Sequence, residues 1–273
     1  MKAVLFPGQG SQMVGMGKEF YDNFEIVKKL FKEANEILNF PISKLILEGP
    51  KEDLDLTVNT QPAIFLVSYS IFNVIKSEFN IDLNKAKYFA GHSLGEYSAL
   101  AASGSLDFDQ TIKLLKARGK AMQTVFPTGE AGMLAVLGVD IKIISNLIKE
   151  NIQNYECYIA NDNSNGQIVL SGTKNNIEKL STYLNSINNK NIKLSVSAPF
   201  HCELMKTATE LMRNELAKIV FKDFQTSLIS NVTAKEIDDS SLIRDLLIRQ
   251  IESRVRWRES VIYMIKNGVN NFI

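Results

Sequence analysis

Short apolar runs and longer amphipathic stretches alternate along the chain. Residues 3–6 and 88–90 are unbroken apolar runs of strand length. Each ends in a glycine turn, Pro7-Gly8-Gln9-Gly10-Ser11-Gln12 after the first and Gly91-His92-Ser93-Leu94-Gly95 after the second. Helical signals follow both turns, over 20–38 and from the second turn through Ala102. Pro62 is expected at the first position of an apolar helix over 63–75, where its missing N–H costs nothing. Strand, glycine turn and helix, in that order twice, predict a mainly parallel α/β sheet.

The pattern changes between 132 and 196. Residues 133–137 read as a strand, 141–149 as a helix with Ile144, Leu147 and Ile148 on its apolar side, and 157–160 as a second strand. A loop over 161–166, ending in Asn165-Gly166, leads to a strand at 167–170. Ile177, Leu180, Leu184 and Ile187 mark one face of a further helix, and 192–196 closes the set as a strand. The order βαββαβ is the ferredoxin-like arrangement, which can fold as its own layer. The chain is therefore expected to divide into a large discontinuous α/β domain, 1–127 with 198–273, and an inserted small domain, 128–197. Beyond Pro199, Leu204, Ala208, Leu211, Met212, Leu216 and Ile219 predict a long amphipathic helix. A strand at 227–231, a basic helical segment over 244–258, a helix over 257–266 and a last strand at 271–273 complete the pattern.

Charge narrows the function classes. With 31 Lys and Arg against 30 Asp and Glu, the chain lacks the basic excess that coating a nucleic acid requires. The most apolar stretch, 62–75, is interrupted by Ser68, Tyr69, Ser70 and Asn73 and falls short of the ~18–20 apolar residues of a membrane span. Residues 3–6 are too few for a signal-peptide core. The expectation is a cytoplasmic protein without nucleic-acid or membrane partners. Cys157 and Cys202 have no metal-ligand or C-x-x-C spacing and read as buried thiols. With two histidines in all, no metal site is expected.

The second glycine turn has the form G-x-S-x-G between a strand and a helix. Its glycines permit a turn too tight for a Cβ and lift the Ser93 hydroxyl above the sheet, at a helix N-terminus that favours a developing oxyanion. Ser93 is the expected nucleophile. It needs a base within hydrogen-bond reach, usually histidine near neutral pH. The turn directs the neighbouring His92 away, to pack or brace, which leaves His201 at the start of the helix that re-enters the large domain. The residues alone leave open which group orients His201, since several Asp lie between it and Ser93.

A helix over 107–123 opens with Asp107-x-x-Gln110, a capping-box-like start. At ~100° per residue, Ile112, Leu114, Leu115, Ala121 and Met122 fill one arc, and Lys113, Lys116 and Lys120 the other. Arg118 falls inside the apolar arc. A buried guanidinium calls for a carboxylate. An internal Asp or Glu would serve, and so would a substrate carboxylate gripped bidentately, for which Arg suits better than Lys. The turn at 7–12 offers backbone N–H groups near a strand end for a second oxyanion donor and lacks the Gly-Lys-Ser/Thr ending of a phosphate loop. Arg244, Arg249, Arg254, Arg256 and Arg258, offset by Asp245 and Glu252, read as a solvated, salt-bridged face.

Four stretches in order resemble the malonyl-CoA:acyl carrier protein transacylases. They are Pro7-Gly8-Gln9-Gly10-Ser11-Gln12, Gly91-His92-Ser93-Leu94-Gly95-Glu96, Arg118-Gly119-Lys120-Ala121-Met122-Gln123 and Pro199-Phe200-His201-Cys202-Glu203-Leu204-Met205. Asn161-x-Asn163 and Gly166-Gln167 extend the resemblance to essentially the whole chain. It implies a hydrolase-like α/β core with a ferredoxin-like insertion and an active site in the cleft between them. It further implies Ser93 as nucleophile, His201 as base, the backbone N–H groups of Gln9 and Leu94 as oxyanion donors, and Arg118 as holder of a malonyl carboxylate. Met122, Phe200 and Asn161 would line the substrate pocket, and the main-chain carbonyl of Gln250 would orient His201. Members of the family continue into a Gly-Pro-Gly loop and a terminal helix, so residues are expected beyond Ile273.

The activity implied is ping-pong transfer of malonyl from malonyl-CoA to the phosphopantetheine thiol of acyl carrier protein, in fatty acid or polyketide synthesis, with no metal and no tightly bound cofactor. Two other readings of the residues stand beside it. One is an esterase or thioesterase of the α/β-hydrolase class, against which a buried Arg118 argues. The other is a non-enzymatic acyl-carrier-binding module, which requires an inert Ser93.

Overall fold

The computed structural model describes residues 1–127, 129–196 and 198–273. Thr128 and Ser197, the end residues expected for the small domain, lie outside them. The chain begins with β1 (Lys2–Phe6), α1 (Lys18–Asn23), α2 (Glu25–Leu38), α3 (Ile42–Glu48), α4 (Lys51–Leu54) and α5 (Thr57–Ser77). Next come β2 (Tyr88–Gly91), α6 (Leu94–Ala102), α7 (Phe108–Thr124), β3 (Ala131–Leu137), α8 (Ile141–Glu150), β4 (Cys157–Ser164) and β5 (Gln167–Thr173). The remainder is α9 (Lys174–Ser186), β6 (Asn191–Leu194), α10 (Lys206–Ala217), β7 (Ser227–Ile229), β8 (Glu236–Ile237), α11 (Ile243–Gln250), α12 (Trp257–Lys266) and β9 (Asn271–Phe272).

One sheet has the order β8-β7-β2-β1-β9 and is parallel except for β8. Its inner strands β1 and β2 are apolar on both sides beyond Lys2 because both faces are covered, as a parallel sheet requires. Val4, Phe6, Phe89 and Leu228 join the main core with helices such as α2, α5 and α7, while Ala3, Tyr88, Ala90 and Ile229 pack on Met264 of α12. Parallel pairing sets Phe6 opposite Gly91 and Ala90 opposite Ile229, so the loops after β1, β2 and β7 leave the same edge of the sheet. Ligands of open α/β folds bind at that edge.

The second sheet, β4-β5-β3-β6, is antiparallel throughout and has the βαββαβ chain order of a ferredoxin-like unit. Period-two alternation divides its side chains. Leu134, Val136, Ile168 and Leu170 pack with residues of α8 and α9, whereas Met133, Ala135 and Val169 join the main core on the opposite face. The mixed architecture expected of the chain, a mainly parallel core sheet with a small ferredoxin-like layer, is the one observed.

Local departures have local causes. Pro62 lies inside α5, since the helix begins at Thr57 in a polar turn whose side chains are buried but bonded: Thr60 Oγ1 donates to Leu54 O at 2.6 Å and Asn59 Nδ2 to Asp53 O at 2.9 Å. The helix over 20–38 is two helices, separated by extended backbone at Phe24. Asp107 precedes α7 without capping it, because its carboxylate binds Lys222 at 2.7 and 2.8 Å. Residues 161–164 belong to β4 instead of a loop, and register shifts beside Asn161 and Asp162 bend the strand there. His201 precedes a short helical turn, Glu203–Met205, instead of opening a long helix, and Leu211 of α10 is exposed. The basic segment is α11, then irregular chain, then the start of α12: Arg254 and Arg256 bind Glu259, and Arg258, within α12, binds Asp162. By length and composition α5 could cross a membrane, but its most apolar window is 67% buried within the fold.

Candidate active site

The turn after β2 leaves no room for side chains at its glycines. A Cβ on Gly91 would stand 1.9 Å from the Gly95 carbonyl, and one on Gly95 would stand 2.5 Å from Phe6 O. Between them Ser93 takes φ 54°, ψ −108°, a conformation costly for a residue with a Cβ. Asn231, two residues beyond β7, holds the turn in place: its Oδ1 accepts from Ser93 N–H at 2.7 Å and its Nδ2 donates to Gly91 O at 2.7 Å. His92 points away from the hydroxyl, paired with Asn163 Oδ1 at 2.9 Å and edge-on to Trp257.

Ser93 Oγ lies 2.8 Å from His201 Nε2. His201 Nδ1 faces the main-chain carbonyl of Gln250 at 2.9 Å. A carbonyl only accepts, so Nδ1 carries the proton and Nε2 is the lone-pair nitrogen turned to the serine hydroxyl. Burial, then the positive charge of Arg118, push His201 down to about 3. The imidazole is therefore neutral at neutral pH and able to take a proton.

Arg118, on α7, is fully buried. Its Nη1 donates to Gln61 Oε1 at 2.8 Å, and its Nη2 to Gln250 Oε1 at 2.9 Å and to Ser93 Oγ at 3.2 Å. All three acceptors are neutral. Its guanidinium carbon sits 5.5 Å from the centre of the Tyr97 ring, and its Nε has no partner among the described residues. Burial lowers its pKa, opposed by Tyr97 and Glu96. Burial raises Glu96 to about 7, against hydrogen bonds from Gln250 and Asn231 and the charge of Arg118.

A cavity of about 250 Å³ opens between the two sheets beside Ser93. Gln9, Leu94, Met122, Asn161, Phe200, Ser93, His201 and Arg118 all border it. Gln250 stands behind it with its carbonyl on His201. Neither the Gln9 nor the Leu94 N–H donates to a protein acceptor among the described residues. Met133, Ala135 and Val169 form an apolar wall from the small sheet. Asn161 reaches the cavity from the bent part of β4, which docks on the chain before α12 through Asp162 N–H to Val255 O and Val255 N–H to Ala160 O. Every site residue expected from the sequence is thus in one place. Gln61, Glu96 and Asn231 belong to the same network and were not expected. The spacing Ser93-x-x-Glu96 was a usable signal for the second, while Gln61 and Asn231 gave none.

A serine on a strained strand-to-helix turn, facing a neutral imidazole and a cavity with free amide donors, is an arrangement suited to acyl transfer. Residues 4–273 match the acyl transferase domain family, and the chain belongs to that family: it is an acyltransferase. It is 42% identical over 273 residues to the malonyl CoA-acyl carrier protein transacylase of Bacillus subtilis (strain 168), covering 99% of this chain and 85% of that one. The crystal structure of the acyl-carrier-protein-S-malonyltransferase from Bartonella henselae superposes with a TM-score of 0.95 at 39% identity, covering 99% of this chain and 87% of that one. A type II polyketide acyl carrier protein in complex with its malonyl-transacylase matches with a TM-score of 0.94 at 36% identity, covering 99% of this chain and 87% of the other.

Proposed function

We propose that the protein transfers malonyl from malonyl-CoA to the phosphopantetheine thiol of acyl carrier protein, in fatty acid or polyketide synthesis, by way of a malonyl-serine ester. The observation that carries the choice of acyl group is Arg118, a buried guanidinium with only neutral acceptors, 3.2 Å from the serine oxygen. A cation so near the nucleophile suits an acyl group whose carboxylate lies one methylene from the reacting carbonyl, and bidentate binding would fix that carbonyl in register.

Ser93 Oγ attacks the thioester carbonyl as its proton passes to His201 Nε2, and the N–H groups of Gln9 and Leu94 hold the tetrahedral oxyanion. Collapse releases CoA, whose sulfur takes the proton from His201. The carrier thiol then gives its proton to His201 and attacks the malonyl ester, and Ser93 recovers a proton as the product thioester leaves. Gln250 O holds the base, and Met122, Phe200 and Asn161 shape the acyl pocket. The steps use the chain's own residues without a metal or a tightly bound cofactor. Residues 1–127 and 198–273 form the large domain in this reading and 128–197 the small one, with the chemistry on the large domain's loops. Two free, buried thiols, Cys157 and Cys202, suit the reducing cytoplasm.

The test is intact mass after mixing with malonyl-CoA. One malonyl adduct is expected on the wild type and none on S93A. An adduct that persists in S93A would overturn the assignment, and rapid loss of the wild-type adduct to water without carrier protein would favour a thioesterase.

A further inference from the structure

Ser93 and Glu96 have the S-x-x-E spacing of a capping box at the start of α6. In a capping box the serine oxygen accepts from the glutamate N–H and the carboxylate accepts from the serine N–H. Neither bond is made. Ser93 Oγ faces His201 and Arg118, and the Ser93 N–H goes to Asn231. The Glu96 carboxyl, only 2% exposed, is left for other partners. Its Oε2 accepts from Gln250 Nε2 at 2.6 Å and from Asn231 N–H at 3.2 Å.

The consequence lies in Gln250. A glutamine amide has an accepting end and a donating end, and its neighbours decide which way it faces. Two acceptors on one side, Glu96 Oε2 and Ser93 O at 3.1 Å, take the nitrogen. The oxygen therefore turns to Arg118 Nη2 at 2.9 Å. In the reversed orientation an N–H group would meet the guanidinium, donor against donor, and Arg118 would lose one of its three acceptors. We propose that Glu96 is a positioning residue for acyl-group selection, orienting the Gln250 amide so that Arg118 is presented to the acyl carboxylate. An accepting oxygen is sufficient for this role, so a carboxylate, a carboxylic acid or an amide can fill it. The inference rests on the malonyl-transfer reading and deepens it.

The experiment compares wild type, E96M, E96Q and R118A, measuring initial rates of Ser93 acylation by malonyl-CoA and by acetyl-CoA over a range of concentrations. Methionine has similar length and no oxygen. E96M is expected to lose about tenfold of the malonyl-over-acetyl preference, the scale of one hydrogen bond to a charged group, chiefly as a higher KM for malonyl-CoA with acetyl transfer little altered. E96Q should restore most of that loss. A merely structural role would reduce both substrates alike. Wild-type preference in E96M would overturn the inference. So would an E96Q preference as low as that of R118A, and this second comparison decides the matter should E96M fail to fold. If R118A itself keeps the wild-type preference, the malonyl-transfer reading falls and this inference with it; if R118A loses it while E96M does not, only the inference falls.

Discussion

The helices of the small sheet and the helix that follows Ser93 begin on the same kinds of residue and treat them differently. At the start of α8, Asp140 accepts from Lys142 N–H at 2.8 Å, and at the start of α9, Thr173 accepts from Asn176 N–H at 3.4 Å. Each side chain closes its own helix end. At the start of α6, Ser93 makes no such bond. Its hydroxyl reaches His201, 108 residues away, while Glu96 three positions later reaches Gln250, 154 residues away. The two caps of the small layer close their own helix ends, whereas the serine and glutamate at the start of α6 are withdrawn from capping and committed to distant partners around the cavity. The strained backbone of Ser93 survives because long-range partners, Asn231 above all, hold it.

The strongest way to break the contrast is at Arg118, where R118A should damage selection far more than folding. Losing one partner of a buried charge pair costs about 2–5 kcal/mol. The preference for malonyl-CoA over acetyl-CoA should accordingly fall by at least about thirtyfold. Stability should change little, because the substitution also removes a guanidinium whose burial is costly when its acceptors are neutral. Competitive acylation and denaturant unfolding measured on the same variant check both halves. A large loss of stability with intact preference would make Arg118 a structural group and place it on the small layer's side of the comparison.

What the sequence disclosed follows the same division between local and distant. The apolar strand runs and helical periodicity of 133–196 identified the ferredoxin-like layer because all its elements follow one another in a single stretch of chain, in the order βαββαβ. Ser93 was legible from its glycines, His201 from the scarcity of histidine, and Arg118 from its place in an apolar arc, each a property of a few adjacent residues or of a count. The assignments of Leu94, Met122, Asn161, Phe200 and Gln250 came only through resemblance, as did the choice of Gln9 within the turn at 7–12, which its own residues had marked as a source of an oxyanion donor. Gln61 was hidden because the polar first turn of α5 shows no apolar period, although it is buried. Asn231 was hidden because its bonds to Gly91 and Ser93 depend on two parallel strands ending in register.

A smaller effect isolates the strain. Ser93 at φ 54°, ψ −108° sits where glycine is at ease and alanine is not. S93A and S93G both lack the hydroxyl, so both lose its bonds to His201 and Arg118, and the difference between them reports the backbone. S93G should be the more stable by about 1–3 kcal/mol, the reverse of the usual order inside a helix. Unfolding curves of the two variants suffice. Equal stability would mean that the turn relaxes once the hydroxyl is gone, and that Asn231 does not hold the strain.

The smallest effect sharpens the other side. D140A removes a cap that touches nothing in the cavity, so it should cost about 1 kcal/mol of stability and leave Ser93 malonylation at the wild-type rate. The loss should be confined to α8, whose buried Ile144 and Ile148 pack beneath the small sheet. Yet that sheet also presents Met133, Ala135 and Val169 to the cavity from its opposite face. If hydrogen exchange in D140A shows opening that spreads from α8 into β3 and β5, and acylation slows with it, the small layer holds the pocket wall in position as well as closing it. Exchange limited to α8 with unchanged acylation would leave local stability and distant chemistry separable, as the two kinds of helix start indicate.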